Sequence, residues 1–324
     1  MRRSLARCMR EIAEVLSSRD HAMPIPSEQP PAMEDFARFR SEAGPASVAL
    51  RLDPLEIGIA GLDAGLAADL LERYAPYSSR SSADPAALRV RFVVADREHF
   101  IPPGEPMALA QVRIACDGDR VRYMSHRLAG WFDTVGGSGL AVMGRTGYEP
   151  RSRAVDNFIR AAVAWQAACR GGALVHAASA VWNGKAFLFY GQSGAGKSTL
   201  AASNRRARIV SDDLSLLLPR ADGRLELTGS PFRGTYEEGP RVVGRFPLVA
   251  GFRLIQAQRA AVRDVPRVRA LSEVVGNLPF VAEAFATRPD LFARVERAFD
   301  AIPLAHLHFR KDDSYWDAIA AAGY

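Results

Sequence analysis

One octapeptide has the residue types and the spacing needed to bind a phosphate chain. Residues 191–198 read Gly-Gln-Ser-Gly-Ala-Gly-Lys-Ser, which matches the pattern G-x-x-x-x-G-K-[ST]. Glycines allow this backbone to turn so that successive N–H groups point inward at an anion. The Lys197 ammonium can reach the β- and γ-phosphates, and the Ser198 hydroxyl can ligate Mg²⁺. We therefore predict a nucleotide-binding loop made of Gly191, Gln192, Ser193, Gly194, Ala195, Gly196, Lys197, Ser198 and Thr199.

The segments on either side of this loop support the same interpretation. Residues 186–190 are a short apolar run that predicts a buried strand, and residues 198–202 can open a helix. A helix that begins at the loop would add its N-terminal dipole to the phosphate site. This order of strand, loop and helix is the context that separates a phosphate-binding loop from a chance match in a glycine-rich turn.

A pair of adjacent carboxylates follows the predicted loop. Residues 207–210 predict a short strand that ends in Ser211-Asp212-Asp213. A phosphoryl-transfer site needs one carboxylate to hold Mg²⁺, and a second one to take the proton when the acceptor is a hydroxyl. Two aspartates that cap a turn are the structural alternative. The neighbouring phosphate loop favours the catalytic interpretation.

A hairpin is predicted immediately before the phosphate loop. Residues 173–181 predict a strand, and Asn183-Gly184, the strongest short hairpin signal, separates it from residues 185–190. Motor and transporter-type ATPases are disfavoured, because a hairpin does not introduce their phosphate loop and their Leu-Ser-Gly-Gly-Gln signature is missing from the sequence. His176 lies on the first strand of this hairpin. A lone histidine there would ordinarily be a core residue, but its position beside the loop favours a functional one.

Together, His176, the Asn-Gly hairpin, the phosphate loop and residues 210–213 resemble the HPr kinase/phosphorylase family, and most closely its HPr-kinase-related, kinase A-like branch. The strong resemblance covers residues 173–236. It implies an α/β P-loop kinase core of the HPr kinase/phosphoenolpyruvate carboxykinase type, preceded here by a small α+β N-terminal domain. It also implies ATP- and Mg²⁺-dependent phosphoryl transfer to a Ser or Thr hydroxyl of a protein or peptide, and a homo-oligomer.

The resemblance also implies roles for individual residues. Ser198 and Asp213 would bind the metal ion. Asp212 would accept the proton of the substrate hydroxyl, and His176 would lie beside the carboxylate and the phosphate. Arg233, in a loop flanked by glycine, is the candidate for the arginine that contacts the transferring phosphoryl group by a bidentate contact.

A second hypothesis comes from a different functional class. Thr199 stands where the bifunctional family usually has a glutamate, and the family's glycine-rich signature is not found beyond the aspartate pair. These departures are compatible with a catalytically reduced ATP-binding regulatory module that signals nucleotide occupancy to partners. The retained Lys197, Ser198 and aspartate pair favour the kinase.

The sequence divides into three regions. Residues 1–34 are predicted to be a flexible N-terminal extension with a helix at 3–17 and a proline-rich spacer at 23–31. The small α+β domain is expected over 35–150, and the P-loop kinase domain over 151–324. Further predicted elements are helices at 66–74, 155–170, 271–278 and 291–299, strands at 88–94 and 304–309, and hairpins turning at 117–119 and 222–223.

Composition and charge narrow the classes of partner and the location that we expect for the protein. The 324 residues are 48% hydrophobic and 24% charged, as is ordinary for a globular protein. The net charge of +6 comes without a dense Lys/Arg block, so we expect no nucleic-acid partner. No apolar run reaches the roughly 18 residues of a membrane span, and no signal peptide is expected. Cys8, Cys116 and Cys169 follow no metal-ligand spacing, which favours a reducing, cytoplasmic location.

Overall fold

The computed structural model describes residues 29–80, 88–102, 112–232, 234 and 242–324. It is a mixed α/β protein with two mixed β-sheets. The described residues form two compact units, which divide in the sequence between Gln166 and Ala167. The sequence instead places a domain boundary between 150 and 151, at the start of a long helix. The predicted N-terminal helix and most of the proline-rich spacer lie outside the described residues.

The first unit is built on nine strands. Strands β1–β9 span Ser41–Glu42, Ala46–Leu52, Leu55–Leu62, Ser78–Ser79, Leu88–Ala95, Arg113–Asp117, Arg120–Met124, Leu128–Asp133 and Ser138–Met143. Its helices are a 3₁₀ turn at Met33–Arg38, α1 at Ala64–Arg73 and α2, which begins at Arg151 and ends at Cys169. The strand order is β4-β2-β3-β5-β9-β8-β7-β6, with β1 paired to β5.

Three neighbouring strands of this sheet, β3, β5 and β9, run parallel to one another. Their carboxyl ends therefore meet at one edge of the sheet. Helix α1 begins near this edge, where the side chain of its N-cap Asp63 accepts a hydrogen bond from the backbone N–H of Leu66.

Most of the local predictions for the first unit are confirmed. The helix predicted at 66–74 is α1, and the strand at 88–94 is β5. Strands β6 and β7 form the hairpin predicted around 117–119. Helix α2 covers nearly all of the predicted 155–170 segment, and its apolar side chains are buried almost completely. Strands β2, β3 and β8 were not predicted.

The second unit carries the predicted phosphate loop. Its strands β10–β17 span Ala173–Trp182, Lys185–Tyr190, Arg208–Ser211, Leu214–Pro219, Leu225–Thr228, Arg245–Gln256, Ala261–Asp264 and Leu304–Phe309. Its helices are α3 at Lys197–Ser203, α4 at Arg267–Val275, α5 at Pro289–Asp300 and α6 at Tyr315–Ala321, with a 3₁₀ turn at Ala282–Ala286.

Strand β11, which leads into the phosphate loop, has a different partner on each side. It pairs antiparallel with β10 and parallel with β15, and β15 in turn pairs parallel with β17. The predicted hairpin between β10 and β11 is confirmed. Asn183 and Gly184 have φ angles of 50° and 76°, which are the two positive values that a type I′ turn requires.

Strand β15 is not among the elements predicted from the sequence. It runs through Gly251 to Gln256, and β16 follows before α4. A Cβ at Gly251 would be 2.7 Å from Cδ2 of Leu304 on neighbouring β17, so a larger residue would require that side chain to move. The predicted helices at 271–278 and 291–299 correspond to α4 and α5, and the strand at 304–309 is β17.

The last helix, α6, supports the helix that begins at the phosphate loop. Trp316 and Tyr315 belong to the same buried cluster as Leu200 of α3. The indole N–H of Trp316 donates to Asn204 Oδ1 at 3.0 Å, just after α3 ends. Among the described residues, no helix is long and apolar enough to cross a membrane.

Glu273 of α4 joins this helix to the parallel strands through a buried ionic cluster. Its carboxylate accepts hydrogen bonds from His306 of β17 at 2.7 Å, from Arg269 at 3.0 Å and from Arg253 of β15. Burial alone would raise the pKa of Glu273. The hydrogen bonds from His306 and Arg269 and the charge of Arg253 outweigh burial and hold that pKa below its usual value of 4.5.

The substitution Glu273→Gln should lower the free energy of unfolding at pH 7 by about 3 kcal/mol, because it removes the buried carboxylate that His306, Arg269 and Arg253 contact. The contribution of a carboxylate with a lowered pKa is present above pH 4.5 and is lost as the pH falls through its pKa in the folded state. Urea unfolding at pH 7 and pH 3 measures this. Glu283→Gln, an exposed control, should change stability by less than about 0.5 kcal/mol. An equal loss for Glu273→Gln at both pH values would contradict the ionic role.

Candidate active site

The phosphate loop connects the end of β11 to the start of α3, as predicted. Gly196 precedes the first helical residue, Lys197, and has a φ angle of 106°, which a residue with a side chain rarely adopts. A Cβ at Gly196 would also lie 2.5 Å from Cζ of Phe309, at the end of β17. Both the backbone conformation and the aromatic neighbour therefore require glycine at this position.

The Lys197 side chain is folded back onto the loop. Lys197 is 7% exposed, and its Nζ donates to the carbonyl oxygens of Gly191 at 2.8 Å and Gln192 at 3.2 Å. Burial lowers the pKa of Lys197, and the charge of Asp213 offsets part of this effect. A phosphate oxygen would be a stronger acceptor than these neutral carbonyl groups, so an anion in the loop would favour the charged ammonium.

A serine fixes the turn that carries the aspartate pair. Ser211 ends β12, and its hydroxyl donates to the carbonyl of Phe232 at 2.7 Å. The same oxygen accepts hydrogen bonds from the backbone N–H groups of Asp213 at 3.2 Å and Leu214 at 3.1 Å. Sequence reasoning missed Ser211, although a serine next to two aspartates is a common turn signal.

Asp212 is 3% exposed and faces the start of α3. The Ser198 hydroxyl lies 3.4 Å from its Oδ2, and the backbone N–H of Gly234 donates to its Oδ1 at 2.8 Å. Ser198 of the phosphate-loop pattern and Asp212 of the aspartate pair are therefore adjacent in space.

Asp213 lies on the other side of the pair, next to His176 of β10. Nε2 of His176 is 3.7 Å from Oδ1 of Asp213, and the histidine side chain is 45% exposed. The backbone fixes both residues, because Ala177 N–H donates to the Asp213 carbonyl at 2.9 Å and His176 N–H donates to the Asn277 carbonyl at 2.7 Å. The hairpin strand therefore places His176 beside the aspartates.

These side chains surround one cavity of ≈ 300 Å³. It is lined by His176, Ser193, Gly194, Gly196, Lys197, Ser198, Thr199, Asp212, Asp213 and Gly234. Of the predicted site residues, Gly191, Gln192 and Ala195 belong to the loop but do not line this cavity. Arg233 lies outside the described residues.

A second cavity of ≈ 220 Å³ adjoins the first and shares Gly196 and Thr199 with it. It lies at the carboxyl ends of β15 and β17, and its other lining residues are Gln256, Ala257, Phe309, Arg310 and Lys311. The Gln256 side-chain amide donates to the Gly194 carbonyl at 3.0 Å and so holds the phosphate loop from this side. Sequence reasoning did not assign any of these residues to the site, and Gln256 and Ala257 lie at the end of β15, which was not predicted.

The donor set fits a magnesium ion that also binds substrate phosphates. Mg²⁺ prefers oxygen ligands, keeps several waters and is usually held by one or two carboxylates together with phosphates. Ser198, Asp212 and Asp213 offer such oxygens around one cavity. Within the described residues, no group of three or more His, Cys, Asp or Glu side chains could hold a metal by itself.

No protein-family model matches the chain, and a search of curated proteins found no match. What the chain does must therefore be inferred from the residues and their geometry.

Proposed function

We propose that the protein is an ATP- and Mg²⁺-dependent kinase that phosphorylates a Ser or Thr hydroxyl of a protein or peptide, with a P-loop core of the HPr kinase type. The observation that carries the proposal is the shared cavity of Lys197, Ser198 and both aspartates at the end of β11. A phosphate loop alone would support nucleotide binding. The carboxylate pair at the same cavity supplies groups that could hold the metal and take the proton of an acceptor hydroxyl.

In this proposal the nucleotide phosphates lie against the loop and the start of α3. Lys197 releases the carbonyl groups of Gly191 and Gln192 and donates to the phosphates. The metal supplies charge neutralisation and orients the transferring phosphoryl group. The second cavity, at the carboxyl ends of β15 and β17, adjoins the loop and is the natural place for the nucleoside part of ATP.

The acceptor hydroxyl approaches from the side of the aspartate pair and His176. The resemblance gives Asp212 the role of proton acceptor and leaves Asp213 with Ser198 to hold the metal. The distance of 3.4 Å between Ser198 and Asp212 favours the exchanged roles, with Asp213 and His176 facing the acceptor. The two assignments predict different kinetics for the variants Asp212→Asn and Asp213→Asn. A cytoplasmic location and a homo-oligomer remain parts of the proposal.

The second candidate, an ATP-binding regulatory module, is favoured by Thr199 at the position where the bifunctional family has glutamate. This module would make the same contacts with the nucleotide as the kinase, but it would not transfer the phosphoryl group. Product formation, and not ATP affinity, therefore distinguishes the two candidates.

The deciding experiment is mass spectrometry of lysate proteins after incubation with the purified protein, ATP and Mg²⁺. The wild type should produce new phosphoserine or phosphothreonine on a small number of proteins. Lys197→Ala should remove these sites, because it deletes the ammonium that holds the phosphates. Lys185→Ala is the matched control, since this exposed lysine begins β11 next to the hairpin turn, at the end away from the phosphate loop, and its loss should leave phosphorylation unchanged.

A lack of new phosphorylation would refute the kinase if ATP binding were intact. Calorimetric titration with ATP and Mg²⁺ should be run on the same samples. Binding that Lys197→Ala removes, without any phosphosite, would establish the regulatory module. Loss of binding in the wild type as well would refute both candidates.

A further inference from the structure

The first unit has a cavity of its own at an edge where ligands commonly bind. The carboxyl ends of the parallel strands β3, β5 and β9 meet there, and they surround a volume of ≈ 440 Å³. Open sheets with parallel strands characteristically bind ligands in a crevice at this edge. The volume is also in the range of small-molecule sites. Sequence analysis found no functional constellation in this part of the chain.

Three arginines line this cavity: Arg127, Arg145 and Arg151. The side chains of Glu42 and Asp63 also line it, so that positive charge prevails. Arg151 is paired with Asp63, and the Arg145 guanidinium is 3.7 Å from a carboxylate oxygen of Asp96.

Arg127 is the most deeply placed of the three, at 9% exposure. Its Nε donates to the Gly144 carbonyl at 3.2 Å, and its Nη1 donates to the Glu149 carbonyl. Its Nη2 makes no hydrogen bond to any residue that the structure describes, although this arginine lines the cavity. Burial lowers the pKa of Arg127 and the positive charge of Arg151 lowers it further, while the negative charge of Glu149 offsets part of this effect.

The geometry of Arg127 suits it to contact an anion. The backbone carbonyls hold one edge of the Arg127 guanidinium in place, so that the remaining N–H groups are fixed in direction. Glu149 and Asp63 compensate part of the positive charge of Arg127 and Arg151, and an anion in the cavity would add to that compensation. Guanidinium groups match the planar or tetrahedral oxygens of carboxylates and phosphates in a bidentate way.

We propose that this cavity binds a small molecule through an oxyanion, a phosphate or a carboxylate group, with Arg127 and Arg145 as its donors. The proposal does not depend on the kinase activity, because the cavity lies in the first unit. Binding here would give the protein a second ligand besides the nucleotide, either a substrate group or an effector.

The test uses the full-length protein and two probes, inorganic phosphate and succinate, at constant ionic strength. Ligand-observed NMR, with ³¹P line widths for phosphate and saturation transfer for succinate, measures each affinity. Arg145→Gln should weaken binding of the preferred probe by about tenfold, as expected for the loss of one charged hydrogen bond. Arg145 has a 55% exposed side chain, so this variant should fold normally.

Two controls locate the binding. Arg89→Gln makes the same charge change on exposed β5 surface, at the end of the strand away from the cavity, and should leave affinity unchanged. Lys197→Ala removes phosphate bound at the phosphate loop, so binding that remains in this variant and is weakened by Arg145→Gln belongs to the cavity of the first unit. Binding of phosphate, succinate or both that depends on Arg145 supports the proposal, and the tighter probe identifies the group. No binding, or binding that Lys197→Ala removes and Arg145→Gln does not, would overturn it.

Discussion

Asp212→Asn is expected to reduce phosphoryl transfer by about 10³-fold while ATP still binds, if Asp212 accepts the proton of the substrate hydroxyl. The amide keeps the size of the side chain and can still accept the hydrogen bond from the Gly234 N–H. Loss of the proton acceptor would appear in kcat. The dependence of the rate on Mg²⁺ concentration would change little.

Asp213→Asn is the matched partner of this variant, because it makes the same chemical change one residue along the chain. If Asp213 ligates the metal, the Mg²⁺ concentration for half-maximal rate should rise by more than about tenfold. Metal affinity already falls by about tenfold or more when a residue that only supports the metal ligands is mutated, so loss of a ligand should have at least this effect. Rates measured across Mg²⁺ concentrations, with the substrate found by mass spectrometry, compare the two variants. Exchanged phenotypes would assign the metal to Ser198 and Asp212, the pair that lies 3.4 Å apart. Full activity in both variants would refute a catalytic role for the pair.

Gly196→Ala should weaken ATP binding by at least about 100-fold. The substitution forces a side chain onto a residue with a φ angle of 106° and directs its Cβ against the ring of Phe309. Relief requires the loop to move, and the backbone N–H groups would then no longer point at the phosphates. Calorimetric titration with ATP and Mg²⁺ measures the change.

Gly223→Ala is the control for backbone strain alone. Gly223 has a φ angle of 82° in the hairpin between β13 and β14, and a Cβ there would meet no atom within 4 Å. This variant should lower stability slightly and leave ATP affinity unchanged. Equal affinity losses in the two glycine variants would mean that general destabilisation, and not the loop geometry, determines nucleotide binding.

Sequence reasoning located the short-range features of the second unit because each depends on a few neighbouring residues. The Asn183-Gly184 turn requires positive φ angles, and this pair of residues is suited to them. The strand–loop–helix order around residues 191–198 was likewise predicted from local composition and is present in the structure.

Features that depend on contacts between residues distant in the sequence could not be predicted from local patterns. Pro247 and Gly251 in β15 resemble strand breakers, yet the strand is continuous because β11 and β17 pair with it on either side. The cavity of Arg127, Arg145 and Arg151 follows from the parallel pairing of β3, β5 and β9. Nothing in the spacing of these arginines along the chain indicates that they meet.

The topology of the second unit also bears on when the proposed nucleotide site would form during synthesis. The phosphate motif ends at Ser198, but the strands that flank or extend its sheet, β15 and β17, and the helix that packs on α3 come much later in the chain. Domains generally fold as units as the chain emerges, and contacts between distant segments form late. A chain cut after α3 would carry the entire motif, and we expect it to bind no nucleotide.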